Sequence, residues 1–557
     1  MQHPVRAARP VRPASALPRA VLLCAVVLLA APALPAAAAP VPDTVVIGVA
    51  QEPDALLFSA MQVSGEIQDV LYAYMVRYND KGQTFPQLVE KLPTIRDGDW
   101  QILPGKKMRV TYRFKRGYTW HDGRPVTALD ASWTYLMLRN PRSPTLSRFE
   151  LRKVDHMLVP NPNDPYTLVV QWNEAYPFAN LGHQVLPKHV LEAEYLRDPS
   201  RLKAHRQASA PVGNGPYRFV EWVRGSHLTL EAYDRFPEGR PRIKRLVFRF
   251  ILDSTVLQAN VIAGQIDVTA TTNNFSLDQM VEIERRNPQI AAHYTQGLIW
   301  ERLNLNLDDE FLRDKRVRQA LAHGINREEI TARLFHGKQP VAHTWLPPAH
   351  PAHNPNVRKY AYDPARARQL LQEAGFTPGP DGIMRSPAGK RLELTIISTA
   401  GNAVREQVEQ IMQAQLRQVG IDLRINNVPA SVLIGQIIRR RTYQITMYAN
   451  FFGPTTLGSF FHSSQIPSEA NNFEGGNHMG WRNAENDRLL DQIAEELDEA
   501  RRIQLLRRQQ ELVAEDLPVI PLYFRLYLTT AKKALRNVKP GGFSGITWNA
   551  PEWGWAQ

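Results

Sequence analysis

Cysteine is almost absent from this chain. Cys24 is the only one in 557 residues, and it lies in an apolar run, Ala20 to Ala33, behind Arg6, Arg9, Arg12 and Arg19. No acid precedes Asp43, and Pro35 to Pro40 is Ala-rich. A basic start, a short apolar run and small residues before a cut make a secretory signal peptide, expected over residues 1–39 with cleavage near Ala38 or Ala39. The run is too short, and too broken by Pro32 and Pro35, to span a bilayer. It offers no Arg-Arg pair for the twin-arginine route. The mature chain is therefore expected to lack cysteine, which excludes disulfides, thiolate metal sites and cysteine nucleophiles. An exported protein without cross-links must take its stability from a large core.

Catalytic signatures are also missing. The sequence has no H-E-x-x-H, no G-x-S-x-G and no P-loop. Gly213-x-Gly215 lacks a third glycine and runs into Pro216, so it is no dinucleotide fingerprint. We expect no enzyme, although a carboxylate pair for glycoside hydrolysis cannot be recognised by spacing alone. His343, His350 and His353 cluster in a Pro-rich loop and read as surface, so no metal or other cofactor is expected. His121 and Asp122 sit in a strand–turn–helix corner, where turn chemistry outweighs an acid–base role. The net charge is +13; the signal segment carries four arginines and no acid, leaving about +9 on the mature chain. Its Lys and Arg are scattered among acids with no basic, aromatic-interleaved module, so nucleic acid is not an expected partner.

What is present is α/β material. Thr44 to Ala50, Arg109 to Phe114, Thr167 to Trp172 and Arg245 to Leu252 read as strands, and Tyr217 to Val223 with His227 to Tyr233 as a hairpin. Thr127 can cap a helix to Arg139; Asp314 to His323 and Asn326 to Phe335 read as consecutive helices, and Asp363 to Gly375 as another. From Leu392 the order is strand, helix (403–419), strand (421–428), helix (430–439), strand (443–449). That βαβαβ order predicts a parallel sheet, with ligands beyond the carboxyl ends of its strands. Leu517 to Phe524 is Pro-punctuated and apolar and reads as a domain crossing.

The last of those strands runs into Met447 to Trp481, which holds seven aromatics and only two charges, Glu469 and Glu474. A long, aromatic, weakly charged connection suits a small-molecule site. The same rings could instead cap the core.

Several segments resemble one family, the extracellular solute-binding proteins of family 5, which are the oligopeptide- and dipeptide-binding components of ABC importers. Tyr112 to Ala128 (YRFKRGYTWHDGRPVTA) is similar to its "T-F-x-L-R-x-G-V-K-F-H-D-G-x-P-V-T-A" signature. Asn214-Gly215-Pro216-Tyr217 is similar to "G-T-G-P-Y", and Ala263 to Asp267 to "x-x-G-E-I-D". Asp314 to Leu321 is similar to "D-x-R-V-R-Q-A-L", Asp363 to Gly375 to "D-P-x-x-A-x-x-L-L-x-E-A-G", and Gly480 to Asn483 to "G-Y-x-N".

The resemblance implies a periplasmic binding protein type II fold, hinged, with two lobes plus an extra domain. Lobe I would comprise 42–79, 210–296 and 524–557, the extra domain 80–209, and lobe II 297–523. It implies a periplasmic, monomeric receptor that binds a solute or peptide and delivers it to a membrane permease and its ATPase. The expected ligand-binding residues are Trp300, Arg302, Tyr448, Asn450, Phe451, Phe452 and Trp481, with Arg302 meeting a carboxylate. In peptide-binding members an Asp after the matching strand pairs with the peptide ammonium; here that position is Asn450, which keeps the shape and loses the charge. A neutral, sugar-like or N-blocked solute is the alternative that this departure raises.

Overall fold

The computed structural model describes residues 42–556 apart from 60, 146–150, 272–274, 430–431 and 452–455. The expected signal peptide, Cys24 and Phe452 lie outside the described residues. Among the described residues no helix is long and apolar enough to cross a membrane.

A ten-stranded mixed sheet organises the fold. Its two long central strands, Ile290–Leu305 and Val519–Lys532, lie side by side and antiparallel. On one flank come Ile445–Phe451, Glu393–Ile397 and Asp422–Ile425. On the other come Val268–Thr269, Thr44–Val49, Arg245–Phe250, His227–Ala232 and Tyr217–Val223. The central pair runs in register from Ile290 opposite Lys532 to Gln296 opposite Leu526, breaks, and resumes with Trp300 opposite Phe524. Gly297 sits in that bulge, where an added Cβ would fall 2.3 Å from the Tyr527 ring. A bulge with backbone this close to a ring requires glycine.

The expected βαβαβ unit is present. Glu393–Ile397 pairs in parallel with both Asp422–Ile425 and Ile445–Phe451, and the helix Ala403–Gln418 connects the first two. The second connection differs from the expected helix, because Leu433–Ile438 winds as a π-helix. Such wide turns recur at functional sites. The hairpin 217–232 forms as expected. A separate four-stranded sheet is built from Trp100–Ile102, Met108–Arg113, Thr167–Trp172 and Val154–Leu158.

Local chemistry explains the helix starts. The Thr127 hydroxyl and Asp130 carboxylate form a capping box, and Asp314, Asn326 and Asp363 each cap the helix that follows. Gly213 and Gly215 let the chain pass over the end of the helix Gln62–Leu71, where added Cβ atoms would lie 2.1 Å from the Leu71 carbonyl and 2.5 Å from that of Val70. Asn214, buried between them, accepts from the Ala73 amide at 2.9 Å. His121 closes the corner, its amide donating to the Gly213 carbonyl and its Nε2 lying 3.0 Å from that of Gly215. This is turn chemistry, as read from the sequence.

Candidate functional site

Strand Ile445–Phe451 pairs antiparallel with the long strand, setting Trp300 opposite Asn450, Glu301 opposite Ala449, Arg302 opposite Tyr448 and Asn304 opposite Thr446. Side chains alternate along a strand, so Trp300, Arg302, Asn304, Thr446 and Tyr448 share one face and Glu301 occupies the other.

Arg302 is 1% exposed. Its guanidinium carbon lies 5.0 Å from the Trp300 ring centre and 4.7 Å from that of Tyr448, and its Nε donates to Asn304 Oδ1 at 3.0 Å. Burial lowers its pKa, opposed by Tyr448 and Glu301. Guanidinium remains charged all the same. Arg302 is therefore a cation packed between rings behind the site wall.

On the opposite face Glu301 is fully buried. One oxygen accepts from Arg405 Nε at 2.9 Å; the other takes Arg525 Nε at 2.9 Å and lies 2.7 Å from Arg525 Nη2. Arg405 also donates through Nη1 to Thr399 Oγ1 at 3.1 Å. Three elements meet here: the long strand, the N-terminal turn of the helix 403–418, and the strand 519–532 beside its register break.

A cavity of about 470 Å³ opens beside these groups. Thr399, Arg405, Tyr448, Ala449, Phe473 and His478 line it, with apolar side chains of the π-helical turn. It lies at the carboxyl ends of parallel strands, where α/β sheets place ligands. Burial, then Arg302 and Arg441, push the His478 imidazole down to about 4, so it is neutral at pH 7.

The structure brings Trp300, Arg302 and Tyr448 together, but only Tyr448 lines the cavity. Asn450 and Phe451 close the strand that leads to it. Trp481 is 2% exposed, edge-on to Phe461 at 6.0 Å, and its Nε1 donates to Asp516 at 3.1 Å. Trp300 and Trp481 belong to one buried apolar cluster. The stretch 447–481 is accordingly not one loop. It contains the helix Leu457–Phe461, and its aromatics divide between core (Phe461, Trp481) and cavity wall (Tyr448, Phe473). Arg405, Arg525, Glu301 and His478 escaped the sequence reading. The one local signal was Glu301 beside Arg302, the only acid and the only arginine on that strand. The three candidate loop histidines include two with plain local contacts: His350 Nδ1 accepts from the Ala352 amide and His353 Nδ1 lies 2.8 Å from the Leu346 carbonyl.

An α/β receptor whose mixed sheet is crossed by two long strands, with a cavity at the carboxyl ends of its parallel strands, is a type II periplasmic binding protein. A family profile described as "Bacterial extracellular solute-binding proteins, family 5 Middle" matches residues 99–472. The chain belongs to that family. It is 27% identical to the oligopeptide-binding protein AppA of Bacillus subtilis over 86% of each chain. It is 24% identical to the nickel-binding periplasmic protein of Escherichia coli, over 85% of this chain and 87% of that one. The crystal structure of the oligopeptide-binding protein of Thermus thermophilus with a pentapeptide superposes with a TM-score of 0.71 at 31% identity, covering 92% of this chain and 96% of that one.

Proposed function

We propose that this chain is the periplasmic receptor of an ABC importer, and that it takes up a peptide or peptide-like solute between two lobes for delivery to a permease and its ATPase. The lobes would be 42–79 with 210–296 and 524–557, and 297–523; residues 80–209 would form the extra domain. The observation that carries the reading is the cavity of about 470 Å³ at the carboxyl ends of the parallel strands, in a chain whose relatives are named for oligopeptides. The break between Gln296 and Trp300 falls where both long strands would pass from lobe to lobe, and suits a hinge that closes on bound solute. Tyr448, Asn450, Phe451 and Phe452 would contact the solute, with Trp300, Arg302 and Trp481 supporting the wall. The receptor would act as a monomer, would break no bond and would need no cofactor.

A second reading has its own observation. By the family resemblance Asn450 would replace an acid that meets a peptide ammonium, which favours a solute without a free amine, and one relative is named for nickel and not for peptides. Calorimetry of the mature protein against di- to octapeptides decides between them. Saturable binding of a peptide supports the first reading; no binding across the set overturns it in favour of the second.

A further inference from the structure

We propose that a small pocket between Arg327, His343 and Pro521 is a binding site for one internal water molecule, which accepts from Arg327 Nε and donates to His343 Nδ1. The pocket shares no lining residue with the larger cavity described above, so the site stands whatever the solute is.

The need for it arises in the strand Val519–Lys532. Glu301 faces Tyr523 and Arg302 faces Pro521, so Leu522 is an extra residue with no partner on the long strand. Pro521 brings no N–H to the ladder either. The segment beside Pro340 answers this bulge: the Ala342 amide donates to the Leu522 carbonyl at 3.1 Å, and the Phe524 amide donates to the Pro340 carbonyl at 3.0 Å. Arg327, the first residue of the helix Arg327–Phe335, completes the join. Its Nη1 donates to the carbonyls of Ala342 at 3.0 Å and Pro521 at 3.1 Å, and its Nη2 to that of Tyr360 at 2.5 Å. One guanidinium thus holds a loop, a bulge and the chain that follows the loop.

Arg327 is 3% exposed. Its Nε is buried and has no hydrogen-bond partner among the described residues, and the same is true of His343 Nδ1. Buried polar atoms are satisfied by protein or by ordered water. Both residues line one pocket of about 10 Å³, the room that a single water needs, together with Arg358, Tyr360 and apolar Leu517 and Ile520. The pair is complementary. Burial pushes the His343 imidazole down to about 4; Arg327, Lys359 and His353 also oppose its charge, and Glu328 favours it. The ring is therefore neutral at pH 7, and with its proton on Nε2 it accepts at Nδ1. A donor facing an acceptor suits water, whereas an anion would need two donors. His343, read as surface from the sequence, becomes the residue that ties the Pro-rich loop through water to the guanidinium behind the bulge.

High-resolution crystallography of the mature protein, with crystals soaked in sodium bromide, tests the site. A single peak without anomalous signal, about 3 Å from both Arg327 Nε and His343 Nδ1, supports it. A bromide signal there makes the pocket an anion site and overturns the water, and a pocket without density overturns it equally. In His343→Leu the peak should vanish while the three carbonyl bonds of Arg327 remain. A peak that survives in that variant overturns the bridge. The wild-type protein supplies a second reading that does not depend on the variant folding. Nitrogen NMR of isotope-labelled histidine should show the His343 proton on Nε2 at pH 7, and a proton on Nδ1 overturns the bridge.

Discussion

The carboxylate of Glu301 holds Arg525 by two nitrogens, at 2.9 Å and 2.7 Å, across a pair of strands that have just lost and regained their register. A charge buried at the seam of the sheet is thus tied to the segment proposed to bend.

Glu301→Gln is expected to destabilise the protein by about 3 kcal/mol, because removing one partner of a buried ionic cluster leaves the others without a counter-charge. Chemical denaturation measures it. A change under about 0.5 kcal/mol would mean that solvent already screens Arg405 and Arg525.

Asn450→Asp should restore an ammonium partner. Peptides with a free N-terminus are expected to gain roughly tenfold or more in affinity over their N-acetylated forms, the size of one charge-assisted hydrogen bond. Equal affinities in the variant would show that the strand end does not meet the solute's amine.

Gly213→Ala should cost about 2 kcal/mol or more, since its methyl would fall 2.1 Å from the Leu71 carbonyl, a backbone atom that no rotamer change can move aside. A thermal melt of the variant checks this, and an unchanged midpoint would show that the corner can open.

Stability should fall as pH drops from about 6.5 towards 4. His121, His343, His350 and His478 are each pushed down to about 4, with burial the leading cause. Between those values the unfolded chain binds protons that the folded one refuses, at up to about 1.4 kcal/mol per pH unit for each group. Glu66 acts with the opposite sign. Burial raises its carboxyl to about 8, so stability is lost as pH rises from about 4.5 to 8. Glu66→Gln should remove this downward contribution between about pH 4.5 and 8. An unchanged slope there would show that Glu66 is ionised in the folded protein.

Much of this fold was legible because local rules and tertiary structure agree. Thr127, Asp314, Asn326 and Asp363 each mark a helix start by their own side-chain chemistry. The parallel unit 393–451 shows clean strand and helix periods. By contrast, Ile290 to Gln296 lacks a regular alternation, because most of its residues are half-buried on both faces. The first half of the central strand was therefore not legible, nor were the helices Gln62–Leu71, Lys188–Arg197 and Leu277–Arg286. The site was partly legible. Tyr448 lies on the last strand of the parallel unit, which position in the chain reveals. Arg405 and Arg525 lie 104 and 224 residues from Glu301, and no spacing rule can join them. The aromatic count of 447–481 misled in a specific way, since ring content does not separate a ligand wall from a core that needs large side chains.

The strand Val519–Lys532 fills the middle of the sheet yet follows every other strand of that sheet in the chain. A nascent polypeptide cannot close its main sheet until this segment emerges. Until then the strand Ile290–Leu305 lacks the partner that it pairs with along most of its length. Late completion would keep the chain threadable through a translocation channel, and premature termination before residue 519 would yield two unsealed edges prone to aggregation.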